Sequence, residues 1–168
     1  LALDRAFIAH ATGDQHSRDL RGEIAHLKFA ESPIRPGDAL IQDLETRRVL
    51  AVQAYDRWKE SLQHRHAYWA TASGYQMSQI FVELWQATVK APYPKKLHAT
   101  QRERYVTELH DRVRIHLEKA LEGHRMNVEL AKVYGVDTEW SKGSERRAVE
   151  VMDLLAKDTK GSFVTPPN

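Results

Sequence analysis

The chain has 168 residues, a length typical of one domain, and 42% of them are apolar, enough for a core without disulfides or a structural metal. It contains no cysteine, which excludes disulfide frameworks, thiolate zinc sites, iron–sulfur clusters and cysteine nucleophiles. Twenty-five Lys and Arg against 23 Asp and Glu leave a net charge of +2, too even for a nucleic-acid stripe, and no apolar run approaches the roughly 18 residues of a membrane-spanning helix.

Ala and Leu outnumber Val and Ile by 35 to 18, which favours helix over sheet. The chain opens on Leu rather than Met and shows no signal-peptide pattern, so it is expected to be a piece of something longer. Residues Ala2 to Ala11 fit a short helix closed by Thr12-Gly13-Asp14. A second helix is expected from Ser17 to Ala30, with Leu20, Ile24 and Leu27 as its buried stripe and Gly22 as a slight weakness. Ser32 to Asp38 holds two prolines and a glycine and is expected to be a loop, with Asp38 as the N-cap of the next helix.

A helix from about Ala39 to Gln63 presents Leu40, Leu44, Ala51, Tyr55, Trp58 and Leu62 on one face, interrupted by Arg47 and Arg48. The helix after it carries Trp69, Ser73, Met77, Ile80, Phe81, Leu84 and Thr88, flanked by Tyr68, Ala72 and Tyr75. Its apolar arc is so broad that neighbours must cover it on more than one side. Gly74 in its middle implies close approach of another backbone. The division near His64-Arg65-His66 is open, and one long bent helix is an alternative.

Ala91-Pro92-Tyr93-Pro94 is the clearest break. Thr100 and Glu103 form a capping-box pattern, and Tyr105, Leu109, Val113, Leu117, Leu121, Val128 and Ala131 then repeat at helical spacing up to Gly135. Gly123 is a candidate kink and Gly135 a candidate C-cap. Asp137 or Thr138 is expected to cap a last helix to about Lys157, with Trp140, Ala148, Val151 and Leu155 inward. The sequence thus implies an all-α fold of five to six helices in antiparallel hairpins, a repeat-like array or a bundle. One helical domain is expected over residues 1–157, with residues 158–168 a loosely held tail.

Trp69 and Gly74 within one helix, then Ala91-Pro92-Tyr93-Pro94, Tyr105 and Leu109, Lys119-Ala120, Ala131, and Gly135-Val136-Asp137 before Trp140 recur in a familiar order. Over about Gln42 to Leu155 the chain resembles the C-terminal helical module of large tetratricopeptide-repeat (TPR) proteins of myxobacteria and related deltaproteobacteria. That resemblance implies a non-enzymatic scaffold that binds other proteins in the cell envelope or periplasm, in some cases with gliding-motility machinery. The full Trp, Leu-Gly, Tyr, Ala, Phe and Pro signature of the 34-residue repeat fits no window here, and Ala54-Tyr55 and Lys119-Ala120 are the nearest fragments.

Nine histidines raise the question of a metal. His64 and His66 point to different faces of a helix and could chelate only where the chain is non-helical, His110 and His116 are six apart, and His116 and His124 are two turns apart, so the histidines are expected to be solvated or capping. Glu108 with Asp111, and Glu118 with Glu122, share helix faces with Arg104, Arg112, Lys119 and Arg125, a pattern of surface ion pairs. No Gly-x-Ser-x-Gly elbow, Walker or dinucleotide glycine pattern occurs. No catalytic, cofactor-binding or metal-ligating residue is therefore expected. Aromatics crowd between Tyr55 and Trp85, for the most part as core. Trp85 and Tyr93, with Lys95, Lys96 and Arg104 around the Pro-bounded loop, form the expected protein-interaction surface, since aromatics are enriched at binding hot spots and basic residues steer acidic partners. The leading expectation is a scaffold for other proteins, such as subunits of an envelope assembly, with no cofactor and no nucleic-acid partner. The alternatives are a helical-bundle enzyme or metal-binding protein using His and Glu, in the cytoplasm if not the envelope, and a nucleic-acid-binding helical domain.

Overall fold

A computed structural model describes residues 18–63, 66–94 and 97–159. The expected helix at Ala2 to Ala11, His64, and residues 160–168 of the expected tail lie outside these. Among the described residues the fold is all-helical: α1 (residues 18–30), a single 3-10 turn at Gly37–Ala39, α2 (Leu40–Leu62), α3 (Ala67–Val89), α4 (Ala99–Tyr134) and α5 (Glu139–Thr159).

Consecutive helices run antiparallel, as their short connections require. Gly22 meets Trp58 while Arg47 reaches Ala30, Gly74 meets Asn127 while Trp85 meets His110, and His124 meets Ser144 while His110 meets Asp158. The central element is α3. It packs on α2, α4 and α5, and also on α1, whose Phe29 shares a cluster with Ala51, Ala54, Trp58, Ile80 and Leu84. A second cluster joins Val82 and Trp85 of α3 to Val113, Leu117 and Ala120 of α4 and Val151 of α5. Full burial of side chains such as Phe29, Ile80 and Leu117 contributes about 1.5–3 kcal/mol each. The broad apolar arc of α3 is thus explained by neighbours on several sides.

Local chemistry sets the helix ends. Pro33 and Pro36 follow α1, and Arg47 of α2 donates to the Ala30 carbonyl at 3.1 Å while its guanidinium stacks over Phe29 at 5.0 Å. The arginine that interrupts the apolar face of α2 therefore caps the preceding helix. Asp38 makes no capping bond. Asp43 instead accepts from the Arg35 guanidinium at 2.6 and 2.9 Å and from its amide at 2.8 Å. Those donors hold its carboxyl at about 2, well below the usual range. The cap of α4 lies two residues before the expected pair, where the Gln101 side chain accepts from the His98 amide at 2.9 Å. The helix then runs 36 residues, roughly 54 Å, through Gly123 without a break. Gly135 ends it at φ 64°, with the Val136 amide returning to the Ala131 carbonyl at 3.0 Å. Thr138 and Ser141 exchange hydroxyl–amide bonds of 3.1 Å at the start of α5.

Two expectations are overturned here. Leu20, Ile24 and Leu27 are 43%, 53% and 58% exposed, because α1 turns Gly22, Ala25 and Phe29 inward. A Cβ at Gly22 would lie 2.7 Å from the Trp58 ring, so this glycine sets how closely α1 approaches α2. Asp158, expected to begin the tail, is instead 3% exposed within α5.

Candidate functional site

Of the five residues of the expected interaction surface, Trp85, Tyr93 and Arg104 are among the described residues. Trp85 is 3% exposed, edge-on to His110 and enclosed between α4 and α5, since α3 has no outer side there. Tyr93 is half-buried against Tyr105, with ring centroids 6.4 Å apart. Arg104 is exposed and pairs with Glu108 one turn on at 2.8 Å. Lys95 and Lys96 lie outside the described residues.

A different surface stands out. Residues of α3 that meet α2 (Met77, Ile80, Leu84) and those that meet α4 (Gly74, Ser78, Phe81, Trp85) lie roughly 100° apart around the helix at 3.6 residues per turn. Helices α2 and α4 consequently flank α3 without packing on each other. Between them lies a groove of about 560 Å³. Its floor is Met77, Ser78 and Phe81 of α3, and one wall is Tyr55 and Leu62 of α2. The other wall is Met126 and Leu130 of α4, with Lys119 and Glu122 at the rim. Met126 is 64% exposed. Tyr55 and His116 both pack against Phe81, with ring centroids 5.6 and 6.4 Å away, and the Lys119 ammonium lies 5.8 Å from the Phe81 ring centre.

Two glycines shape this floor. A Cβ at Gly123 would fall 2.4 Å from Ser78 Oγ, and one at Gly74 would fall 2.3 Å from Asn127 Oδ1. The close approach at Gly74 is thus to a side chain, not to a backbone. Two polar groups along the floor are committed elsewhere: Ser78 Oγ donates to the Gly74 carbonyl at 2.8 Å, and Asn127 Nδ2 donates to the Thr71 carbonyl and to Ser144 Oγ, each at 2.9 Å, while Asn127 Oδ1 is buried without a hydrogen-bond partner. The surface left to meet a ligand is apolar, with one cation and one anion at its edge.

Behind the groove, polar groups join α3, α4 and α5. Thr71 and Thr138 bond through their hydroxyls at 2.9 Å, and Tyr68 donates to Glu139 at 2.8 Å. His124 Nδ1 meets Ser144 Oγ at 3.3 Å with its ring edge-on to Tyr75. At the far end Asp158 accepts from His110 Nδ1 and, at 2.7 Å, from Arg114 Nε. His110 and His124 are therefore inward and structural rather than solvated or capping, a correction to the expectation from spacing. Burial pushes the His124 imidazole down to about 4, with the Arg147 charge adding to it, so the ring is neutral near pH 7. His124 and Ser144 are both sealed from solvent, so this Ser–His contact cannot meet a substrate. Among the described residues no three His, Asp or Glu side chains gather to hold a metal ion, and no helix is long and apolar enough to cross a membrane.

No family model, curated protein or solved structure matches the chain.

Proposed function

We propose that the chain is a non-enzymatic interaction module, and that it binds an apolar, helical segment of another protein in the groove between α2 and α4. One observation carries the reading. Three antiparallel helices occupy three corners of a square, and the fourth corner is a largely apolar trough whose Ser78 hydroxyl and Asn127 amide nitrogen are already bonded. A helix seated there would complete a four-helix arrangement, with its apolar face on Met77, Phe81 and Met126. Met side chains adapt to varied partners. The charges at the rim, Lys119 and Glu122, would set register rather than affinity. A TPR-like origin and a place in an envelope assembly rest on the sequence resemblance alone.

A second reading, a helical-bundle enzyme or metal protein using His and Glu, draws on the inward placement of His110 and His124. Elemental analysis of the purified protein separates the two, since a stoichiometric bound metal would favour the second.

The test of the first reading uses matched exposed positions. Met126 in the groove and Val149 on the outside of α5 are 64% and 63% exposed. Affinity capture from the native cell should lose its specific partner with Met126→Glu and keep it with Val149→Glu. Equal capture by both variants would reject the groove.

A further inference from the structure

The outer face of α1 carries a pattern that packing among the described residues leaves unused. Asp19, Gly22, Ala25, His26 and Phe29 face the body of the protein, where His26 bonds Glu83 at 2.7 Å and Phe29 is fully buried. Leu20, Ile24 and Leu27 form a line on the opposite side, 43% to 58% exposed. Their 4–3 spacing places Leu, Ile and Leu at the d, a and d positions of a heptad. Ile at a with Leu at d is the combination that favours a two-stranded parallel pair.

The charges flanking this seam select both partner and direction. In the same register Glu23 is at g and Lys28 at the following e, and both are exposed. A parallel second copy would set Glu23 against the other chain's Lys28, twice over. An antiparallel copy would set Glu23 against Glu23 and Lys28 against Lys28. The pattern is complementary to itself in one orientation, as a two-fold interface requires.

We propose that a second copy of this chain docks in parallel along Leu20, Ile24 and Leu27 of α1, held in register by reciprocal Glu23–Lys28 pairs. The helix is already ordered against α2 and α3, so pairing does not carry the ordering cost of an isolated short coiled coil. Three half-exposed side chains supply no more than a few hundred Å² per copy, against ~800 Å² per partner in a standard interface. The association is therefore reversible and concentration-dependent. It is independent of the groove between α2 and α4.

Sedimentation equilibrium of the full chain from low to several hundred micromolar tests it. The average mass should rise from 19.3 kDa towards twice that value. Ile24→Lys should stay at the monomer mass with an unchanged melting curve, because this position is outside the core. Glu23→Lys and Lys28→Glu should each shift the dimer midpoint at least tenfold to higher concentration, and an equimolar mixture of the two should restore it by forming the mixed pair. Oxidised Leu20→Cys, in a chain with no other cysteine, should cross-link to itself. A monomer mass at every concentration would overturn the proposal. So would charge variants that fail to rescue one another, or a Leu20→Cys that does not form the homodimeric disulfide.

Discussion

Lowering the pH should weaken this fold through His124, and the size of the effect is set by its burial. The ring is fully enclosed, beside Tyr75 of α3 and Ser144 and Arg147 of α5, and its pKa falls from 6.5 to about 4. The unfolded chain binds the proton at its ordinary pKa and the folded chain does not. Stability is therefore complete above about pH 6.5 and is lost as the pH falls towards 4. Linkage at 1.36 kcal/mol per unit gives a loss of about 2 kcal/mol by pH 5 and about 3 kcal/mol by pH 4. His116 is shifted the same way by burial and by Lys119, and adds to the slope in the same window. Asp43 contributes only lower, as its carboxyl protonates between 3.8 and about 2. Urea unfolding of the wild type and His124→Asn at pH 7 and pH 5 isolates the ring's share, because the variant keeps every other titrating group. The wild type should lose about 2 kcal/mol more than the variant over this interval. Equal losses in the two proteins would refute the placement of a neutral, buried His124.

Other substitutions probe the packing. Gly74→Ala sets a methyl 2.3 Å from Asn127 Oδ1 and should cost about 1–3 kcal/mol by thermal or urea unfolding; adding Asn127→Ala should cost less than the sum of the two single changes. Trp85→Ala should cost about 3–5 kcal/mol as a core deletion, whereas Arg104→Ala should stay within about 0.5 kcal/mol. Asp158→Asn weakens the acceptor shared by His110 and Arg114, so hydrogen exchange should accelerate in the last turns of α5 and stay unchanged in α2.

The parts of the fold legible in the sequence are those set by local chemistry. Gly135 ends α4 because only a left-handed residue closes the helix there, and the two prolines around Tyr93 separate α3 from α4. The breadth of apolar residues around α3 marks a central helix. Facing is less legible where small residues carry the contact. On α1 the large aliphatics read as the core stripe, but Gly22 and Ala25 allow the closer approach and leave Leu20, Ile24 and Leu27 outside. His110 and His124 read as surface residues because their partners, Asp158 and Ser144, arrive from another helix with no signal in local spacing. Trp85 reads as a surface anchor for the converse reason, since α4 and α5 enclose it. The groove has no sequence signature at all, because it arises where α2 and α4 fail to meet. Gly123 and Gly74, opposite Ser78 and Asn127, are its nearest clue.

The proposed function stands or falls on whether another protein occupies the trough over Phe81. A photo-cross-linking residue at position 126, in the full chain expressed in its native cell, tests this directly against the same residue at position 149. A discrete adduct is expected from position 126, absent from position 149 and lost when Phe81→Asp places a charge on the groove floor. Identical adduct patterns from the two positions, or an adduct that survives Phe81→Asp in a folded protein, would contradict it.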